Sequence, residues 1–395
     1  MPDPAPTSPL AAITGGLLLG GSTTFLLNLL RGARALGEPM PVVVSFSEPN
    51  EHRADFERLG ADVWTVDARG MIYEDRIAWA YRQVAPLQPA CVIACLGSEG
   101  FELLRLAPPG VRRIGVIQSH EPGTYAVAAR YAPWVDAMVG VSEQVCAALR
   151  AMPEFAGKPV HSIPYGIDFA EAVARPERSE ADPLRVIYLG RMIEEQKRVS
   201  RLAALARKVD APGAPIRFTL VGSGPQEAGM RAQTAPLGSV TMTGAVPNER
   251  VAGILREHDV FVLLSDYEGL PLSLLEAMGE GVVPVVSDLP SGIAEAVPEG
   301  CGVRVPVGDV DAAAAALRGL AADPARLAAL SRAASEFART RFSARRMTAD
   351  YLALAANVAR SPWPERVKIP RPIGLGWMFS GWARGVRRVL KRLAP

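Results

Sequence analysis

Residues Ser265–Ser287 read SDYEGLPLSLLEAMGEGVVPVVS, and the fold class can be inferred from the pattern of this stretch. An apolar run ends at Ser265, a short loop follows, Pro271 can start a helix, and a second apolar run ends at Ser287. Two buried strands joined through a helix are typical of a parallel sheet. Free backbone N–H groups at the turn before the helix face the carboxyl edge of that sheet and favour a phosphate group.

Similar apolar runs alternate with helical segments throughout the preceding sequence. In the half of the chain around this stretch they predict five strands, at Arg185–Gly190, Arg217–Gly222, Ser239–Gly244, Asp259–Ser265 and Val282–Ser287. An earlier part repeats the pattern, with predicted strands at Val42–Phe46, Cys91–Leu96, Arg113–Gln118 and Asp136–Val141. The predicted fold class is therefore α/β, with two Rossmann-like doubly wound domains that face a central cleft.

The length and composition agree with two domains. A chain of 395 residues with 49% apolar residues can bury two cores, because one core stops growing at about 250 residues. Residues 174–183, ARPERSEADP, are rich in proline and charge and are predicted to link the domains. We expect an N-terminal domain at residues 1–180 and a second domain at residues 181–345. Residues 346–395 are predicted to hold a helix that returns to the first domain, followed by a tail.

The segment Pro9–Leu30 carries no charge over about one membrane thickness of helix. A spanning helix is disfavoured, because the residues before the segment include no Lys or Arg and the segment itself contains four glycines. The favoured interpretation is a strand, a glycine-rich turn and a helix capped by Ser22 or Thr23. The glycines of this turn are Gly15, Gly16, Gly20 and Gly21. They would allow the backbone to approach a phosphate or an acceptor closely; the alternative is simple tight packing against a neighbouring segment.

Two carboxylates stand out in the Ser265–Ser287 stretch. Glu268 lies in the predicted loop and Glu276 inside the predicted helix, so they can reach different parts of one ligand. A carboxylate accepts two hydrogen bonds from a vicinal diol, which ribose and hexose both present. The alternative is a pair of solvated carboxylates without a ligand.

The Glu-x7-Glu spacing of this pair resembles the signature of the retaining family-4 glycosyltransferases, which have the GT-B fold. YLGRMIEEQK at Tyr188–Lys197 is similar to the Gly-Arg…Lys motif of that family, and LVGSGP at Leu220–Pro225 to its Gly-x-Gly-Pro turn. HSIPYGID at His161–Asp168 resembles the end of its first domain, although Tyr165 stands where the family often has Asn. The resemblance covers most of residues 136–320 in the expected order.

The resemblance implies a donor site in the second domain. Arg191 and Lys197 would hold the diphosphate of a nucleotide sugar, and Glu276 would bind the ribose hydroxyls. Glu268 would contact the transferred sugar, while the backbone of Gly269 and Leu270 would close on sugar and phosphate. Gly222, in the Gly-x-Gly-Pro turn, would also contact the donor.

The first domain would then bind the acceptor. His120 in SHEPG follows a predicted strand, at a place where similar family members have a histidine that touches a sugar hydroxyl. The glycine-rich turn matches the first-domain loop of the family, with a longer and more apolar spacing. Glu99 and Glu102 are weaker candidates for acceptor contact, and a lone histidine in a loop is also compatible with a structural role.

The implied reaction is transfer of a hexose or N-acetylhexosamine with retention, to a glycan or lipid-linked acceptor in polysaccharide or glycolipid assembly. No His/Cys cluster with metal spacing occurs in the sequence, and we expect no cofactor and no metal requirement. A UDP-sugar donor is preferred over a GDP-sugar. A sugar-nucleotide epimerase and a catalytically silent scaffold of the same fold are the alternatives.

The tail from Ser361 differs in composition from the rest of the chain. It contains eight Lys or Arg against one acidic residue, and three of the six tryptophans. Residues 374–395 place apolar and basic side chains at helical spacing, which suits a helix on an anionic membrane surface; a helix docked on the first domain is the alternative. The net charge of +2 gives no reason to expect nucleic acid as a partner. The four cysteines are expected to be reduced thiols, which indicates a cytoplasmic protein. With the basic tail, we expect it at the inner face of the membrane.

Overall fold

The computed structural model describes residues 10–17, 20–39, 41–45, 50–68, 70–95, 97–108, 110–120, 122–171, 182–210 and 216–361. These residues form two compact units. Unit 1 consists of residues up to Val141, Val145–Gly166 and those from Arg345 onward, and unit 2 consists of Ser142–Gln144 and Ile167–Ala344. The predicted linker, apart from residues 182 and 183, and the tail at 374–395 lie outside the described residues.

The elements are numbered in chain order. The strands are β1 (Leu10–Thr14), β2 (Val42–Ser45), β3 (Val63–Thr65), β4 (Cys91–Cys95), β5 (Arg112–Ile117), β6 (Ala137–Gly140), β7 (Val160–Ser162), β8 (Leu184–Leu189), β9 (Ile216–Val221), β10 (Val240–Gly244), β11 (Val260–Leu263), β12 (Val283–Ser287) and β13 (Val303–Val305). The helices are α1 (Gly21–Leu36), α2 (Arg53–Arg58), α3 (Tyr73–Val84), α4 (Gly97–Leu106), α5 (Pro122–Tyr131), α6 (Glu143–Arg150), α7 (Ser200–Val209), α8 (Glu227–Thr234), α9 (Asn248–Arg256), α10 (Leu272–Gly279), α11 (Gly292–Ala296), α12 (Val310–Ala322), α13 (Pro324–Arg341) and α14 (Ala344–Asn357).

Each unit is built on one parallel sheet. The strand order is β3-β2-β1-β4-β5-β6-β7 in unit 1 and β10-β9-β8-β11-β12-β13 in unit 2. In both sheets the order reverses direction beside the first strand of the unit, between β1 and β4 and between β8 and β11. The central strands are buried on both faces because helices cover them. The α/β fold class with two doubly wound units is therefore confirmed.

The chain enters unit 2 at Ile167, before the predicted linker. The Ile167 N–H donates to the Phe342 carbonyl at 2.7 Å, and the Ala344 N–H donates to the Ile167 carbonyl at 2.8 Å. Helix α14 then lies in unit 1, where the Thr348 hydroxyl donates to the Leu29 carbonyl at 3.0 Å. The chain therefore passes from unit 1 to unit 2 at Ile167 and returns to unit 1 after Ala344.

The N-terminal segment forms the predicted strand, turn and helix. The helix cap was predicted wrongly: α1 begins at Gly21 after Gly20, and no side chain caps it. Ser22 and Thr23 lie inside the first turn, and the Ser22 hydroxyl donates to Gln118 Oε1 at 2.7 Å instead. Among the described residues, no helix has the length and apolar character that crossing a membrane requires.

A forked Arg–Asp pair ties neighbouring strands together in each unit. In unit 1, Arg113 donates through Nε and Nη2 to the two oxygens of Asp136, and both side chains are buried, at 2% and 0% exposure. In unit 2, Arg185 holds Asp259 in the same geometry, but the Arg185 side chain is 42% exposed. The same contact therefore occurs in a dry and in a solvated environment.

Two glycines let the loops after β8 and β9 pack together. Gly222 has a φ of 134°, and a Cβ there would lie 1.9 Å from the Gly190 carbonyl oxygen. Gly224 has a φ of 155°, and a Cβ there would lie 2.5 Å from the Met192 oxygen. The Met192 N–H donates to the Ser223 carbonyl at 2.8 Å across this contact. The glycines thus fix the course of the chain around Arg191.

We expect Asp136→Ala to lower the free energy of unfolding by about 3–5 kcal/mol, because it leaves the buried Arg113 charge without its carboxylate. The matched variant Asp259→Ala should lower it by less than half as much, since water reaches Arg185. Urea unfolding of both variants measures the difference. Equal losses would contradict burial as the deciding factor.

Gly222→Ala is expected to destabilise unit 2 by about 2–4 kcal/mol, through the unfavourable φ and the collision with Gly190. Gly253→Ala is the control, because Gly253 lies inside α9 and a Cβ there meets nothing within 4 Å. The control should be neutral or stabilising by up to about 1 kcal/mol. Thermal unfolding measures the difference. The midpoint temperature of Gly222→Ala should lie below that of the parent protein, and that of Gly253→Ala should be equal to it or higher.

Candidate functional site

The candidate site of unit 2 lies at the point where the strand order reverses. Ligands of doubly wound sheets bind outside the carboxyl ends of the strands at such a point. The strands that meet there are β8 and β11, whose register pairs Val186 with Val260 and Ile187 with Phe261. The loop after β8 contains Arg191 and Lys197, and the loop after β11 contains Glu268. The structure therefore brings together residues that are about 70 positions apart in the sequence.

Glu268 is buried in a network of three hydrogen-bond donors. Its Oε1 accepts from Lys197 Nζ at 2.6 Å and from the Ser265 hydroxyl at 2.6 Å, and its Oε2 accepts from Gln196 Nε2 at 3.1 Å. The side chain of Glu268 is 5% exposed and that of Lys197 is 12% exposed. A carboxylate has about four acceptor positions, so one position, on Oε2, remains for a ligand.

This network refines the role that the sequence suggested for Glu268. A free carboxylate can take both hydroxyls of a vicinal diol, one on each oxygen. The Oε1 atom of Glu268 already accepts from Lys197 and Ser265, so the side chain can accept one further hydroxyl group, on Oε2. Its assignment to the sugar stays a prediction.

A second ion-pair cluster, the Asp266 latch, holds the two loops against each other. The latch consists of Asp266, Arg198 and Arg201: Asp266 forms ion pairs with both arginines, and Arg201 also donates to the Leu264 carbonyl at 2.8 Å. The backbone N–H of Asp266 donates to the Gln196 carbonyl at 3.0 Å. Partial burial alone would raise the pKa of Asp266, but the hydrogen bonds from the two arginines outweigh it and hold the pKa below its usual value.

Arg191 lies at the surface of the same loop. Its backbone is fixed by a hydrogen bond from the buried Tyr188, whose hydroxyl donates to the Arg191 carbonyl at 2.7 Å. Burial, followed by the nearby Glu268 charge, raises the pKa of Tyr188, so the phenol keeps its proton. The Arg191 side chain itself is exposed to solvent and accessible to an anion.

Helix α10 contributes the other predicted donor residues. Gly269 and Leu270 are buried in the loop before it, and the Gly292 N–H donates to the Gly269 carbonyl at 2.8 Å. A Cβ at Gly292 would lie 2.5 Å from that carbonyl oxygen, so this turn has room for hydrogen only. Glu276 is half-buried on α10, four residues after its start. The predicted site residues of unit 2 thus lie on two loops and one helix around the switch point.

Three contributors to this site were missed by the sequence analysis, namely Ser265, Gln196 and Asp266. Each acts through a partner that is distant along the chain, except Ser265, which lies three residues before Glu268. A signal was present in Ser265, because a hydroxyl at the carboxyl end of a buried strand is placed to face a ligand or a loop. No local pattern in the sequence singles out Gln196.

In unit 1 the glycine-rich turn follows β1, the strand beside the reversal point of that sheet. A Cβ at Gly15 or at Gly20 would meet nothing within 4 Å. Tight packing against the described residues is therefore not the reason for these two glycines. Gly16 is half-buried and Gly21 is exposed at the start of α1. Contact of the four glycines with a phosphate or an acceptor stays a prediction.

His120 lies two residues after Gln118, just beyond the end of β5. Its Nδ1 shares a hydrogen bond of 2.6 Å with the hydroxyl of Tyr125, and the two rings meet edge to face. Burial raises the pKa of Tyr125 to about 12, so this hydroxyl is neutral at physiological pH. The bond fixes the orientation of the imidazole and leaves Nε2 as its second polar atom.

The weaker acceptor candidates differ in their placement. Glu102 is buried in unit 1, where it accepts from the Tyr131 hydroxyl at 2.8 Å and pairs with Arg105. These contacts give it a structural role in the core. The Glu99 side chain lies outside the described residues. Within the described part of the chain, no group of three or more His, Cys, Asp or Glu is arranged to hold a metal ion.

Comparison with known sequences finds similarity over the second unit. A family model described as "Glycosyl transferases group 1" matches residues 183–323. WcaL of Escherichia coli K12, named as a putative colanic acid biosynthesis glycosyltransferase, is 36% identical over 141 residues, which is 33% of this chain and 34% of the relative. AmsK of Erwinia amylovora, an amylovoran biosynthesis glycosyltransferase, is 34% identical over 170 residues, which is 39% of this chain and 41% of the relative. These matches span less than half the length of either relative.

Solved structures resemble almost the whole chain at low sequence identity. A point mutant of S. aureus TarM, in complex with fondaparinux, alpha-GlcNAc-glycerol and UDP, is 12% identical with a TM-score of 0.74, over 88% of this chain and 100% of TarM. Anabaena HepE, in complex with UDP and glucose, is 14% identical with a TM-score of 0.71, over 88% of this chain and 99% of HepE. Residues 183–323 therefore match the group 1 glycosyltransferase family, and the chain that contains them has the GT-B fold.

Proposed function

We propose that this protein is a retaining glycosyltransferase of family 4 that moves a hexose or N-acetylhexosamine from a nucleotide sugar to a glycan or lipid-linked acceptor. The observation that carries the proposal is the convergence of Lys197, Glu268 and the start of α10 at the switch point of unit 2. A cation, a hydroxyl acceptor and a helix start are the groups that a sugar diphosphate needs.

The relatives support the class of product. WcaL and AmsK, which are named for colanic acid and amylovoran biosynthesis, act in polysaccharide assembly. We extend that role to this chain and propose an acceptor that is a growing polysaccharide or glycolipid. HepE and TarM were solved with UDP, which supports a UDP-sugar as the donor in preference to a GDP-sugar.

Stabilisation of the leaving diphosphate is the main task of the site. As the sugar–phosphate bond breaks, negative charge grows on the diphosphate, and fixed positive groups that face it lower the barrier. Lys197 has three N–H donors, of which one goes to Glu268, so two remain for phosphate oxygens. Arg191 offers a planar fork on a loop whose course is fixed by Tyr188 and Gly222.

Recognition of the donor would be divided between the two glutamates. Glu276 on α10 would accept from the ribose hydroxyls. Glu268 would accept one sugar hydroxyl through the remaining position on Oε2. The backbone N–H groups of Gly269 and Leu270 would face the sugar and the phosphate beside it.

Retention is proposed to occur by front-face substitution, in which the leaving phosphate takes the proton of the acceptor hydroxyl. Glu268 is a poor candidate for a nucleophile, because three donors share its negative charge and hold it in place. We propose that no metal ion takes part, and that Arg191 and Lys197 supply the positive charge. His120 is proposed to contact a sugar hydroxyl through Nε2.

Replacement of the ribose ligand tests the donor site. We expect Glu276→Ala to weaken the binding of UDP at least tenfold, which corresponds to about 1.4 kcal/mol. Glu299→Ala is the matched control, because Glu299 is an exposed carboxylate in the same unit and outside the site. Titration calorimetry with both variants, in the presence of EDTA, measures the effect and the metal independence together.

Two outcomes would contradict these assignments. An unchanged UDP affinity in Glu276→Ala would remove the residue from the donor site. Loss of UDP binding in EDTA by the parent protein would remove the metal-independent proposal. A panel of nucleotide sugars in the same assay, followed by product analysis with and without acceptor, then identifies the donor and separates transfer from epimerisation.

The basic, aromatic tail is proposed to bind an anionic membrane at its cytoplasmic face. We expect the full chain to float with liposomes that contain anionic lipid, and expect flotation to fall when residues 374–395 are removed. Flotation should also weaken at high salt, because the attraction is screened. Equal flotation of the full and shortened chains would refute the membrane proposal.

A further inference from the structure

A groove of about 650 Å³ lies in unit 2, among residues that the candidate site does not use. It runs along one face of β8, β9 and β10, beside α9. Its lining combines basic side chains and hydroxyl groups with a few apolar residues at one end; the basic ones are Arg185, Arg217 and Arg250. This volume is sufficient for a mono- or disaccharide.

Two arginines stand side by side in this groove. Arg185 on β8 and Arg217 on β9 are register partners on neighbouring parallel strands, so their side chains leave the sheet on the same face. Like charges in directly neighbouring positions of a sheet are unfavourable. Arg185 is neutralised by Asp259, with contacts of 2.9 and 3.1 Å. Arg217 is exposed and forms no ion pair or side-chain hydrogen bond with any described residue.

The other side of the groove contributes a second cation and one anion. Arg250, near the start of α9, is exposed and its side chain has no partner among the described residues. Glu257, just after the end of α9, is exposed at the opposite end of the helix and is the acidic residue of the lining. The groove therefore offers two unpaired positive charges together with a carboxylate that can accept hydrogen bonds from hydroxyl groups.

The floor of the groove is polar and fixed. His258 Nδ1 lies 2.8 Å from the Ile254 carbonyl, which only accepts, so Nδ1 bears the proton; Nε2 then accepts from the Thr219 hydroxyl at 2.7 Å. Burial, and then the charge of Arg185, lower the pKa of His258, so the imidazole is neutral. Thr219 keeps acceptor capacity towards the groove, and Thr243 adds another hydroxyl.

We propose that this groove binds an acidic saccharide, with its phosphate or carboxylate group between Arg217 and Arg250 and its hydroxyls against Thr219, Thr243 and Glu257. A guanidinium group binds both kinds of oxyanion in a forked geometry. The site is separate from the donor residues Arg191, Lys197, Glu268 and Glu276, none of which lines the groove.

Titration calorimetry of the full chain tests the proposal with four probes, namely glucose 6-phosphate, glucuronate, glucose and inorganic phosphate. We expect at least one acidic sugar to bind ten times more tightly than both glucose and inorganic phosphate. Preference between glucose 6-phosphate and glucuronate tells whether the oxyanion is a phosphate or a carboxylate. Binding of glucose or of inorganic phosphate with equal affinity would overturn the proposal.

Three variants locate the binding. The double variant Arg217→Ala/Arg250→Ala should weaken the binding of the acidic sugar at least tenfold. Both side chains are exposed, so the fold should persist. The control variant Arg332→Ala, at an exposed arginine of α13 outside the groove and the donor site, should bind the acidic sugar like the parent protein. Unchanged affinity in the double variant would overturn the proposal. Loss of binding in Arg191→Ala would also overturn it, because the acidic sugar would then occupy the donor site.

Discussion

The carboxylate of Glu268 is the group on which the arrangement of the candidate site depends. Removal of a carboxylate from water costs several kcal/mol unless charges and donors replace the solvent. Lys197, Gln196 and Ser265 supply that replacement, and the first two come from the loop after β8. The burial of one charge therefore fixes two loops relative to each other. The Asp266 latch repeats the same connection nearer the surface, where solvent weakens each ion pair.

Parallel pairing explains why these two loops meet. The carboxyl ends of β8 and β11 are neighbours because the strand order reverses there, although their loops are far apart in sequence. The loop after β9 supports the loop after β8 from the other side, through the approach of Gly222 to Gly190. The glycine that the family resemblance placed at the donor thus has a steric reason to be glycine. Contact with a ligand is an additional role that this geometry permits.

The sequence predicted the buried parts of the fold well and the edges poorly. The nine strands predicted with bounds are present within one or two residues, and the strand predicted in Pro9–Leu30 is β1, because an apolar run buried on both faces is an unambiguous pattern. The strands β3, β7 and β13 were missed, since each has three residues and is partly exposed at a sheet edge. Gln196 was missed for a different reason: its role follows from a partner 72 positions away, which no local pattern records. The predicted cap at Ser22 was wrong because α1 starts two residues earlier, with Gly20 at the cap position, and the Ser22 hydroxyl donates to Gln118.

The hydrogen-bond network around Glu268 also constrains the chemistry. A nucleophilic carboxylate needs a lone pair directed at the anomeric carbon and a charge that is not already shared among donors. Oε1 of Glu268 has no such lone pair, because Lys197 and Ser265 occupy both of its acceptor positions. Oε2 retains one position, which suits a hydroxyl group. A double displacement through Glu268 would have to use the one free position on Oε2, and ester formation there would remove the negative charge that pairs with the buried Lys197 ammonium. A mechanism in which the diphosphate leaves towards Lys197 and Arg191, and itself accepts the proton, keeps every one of these contacts in place.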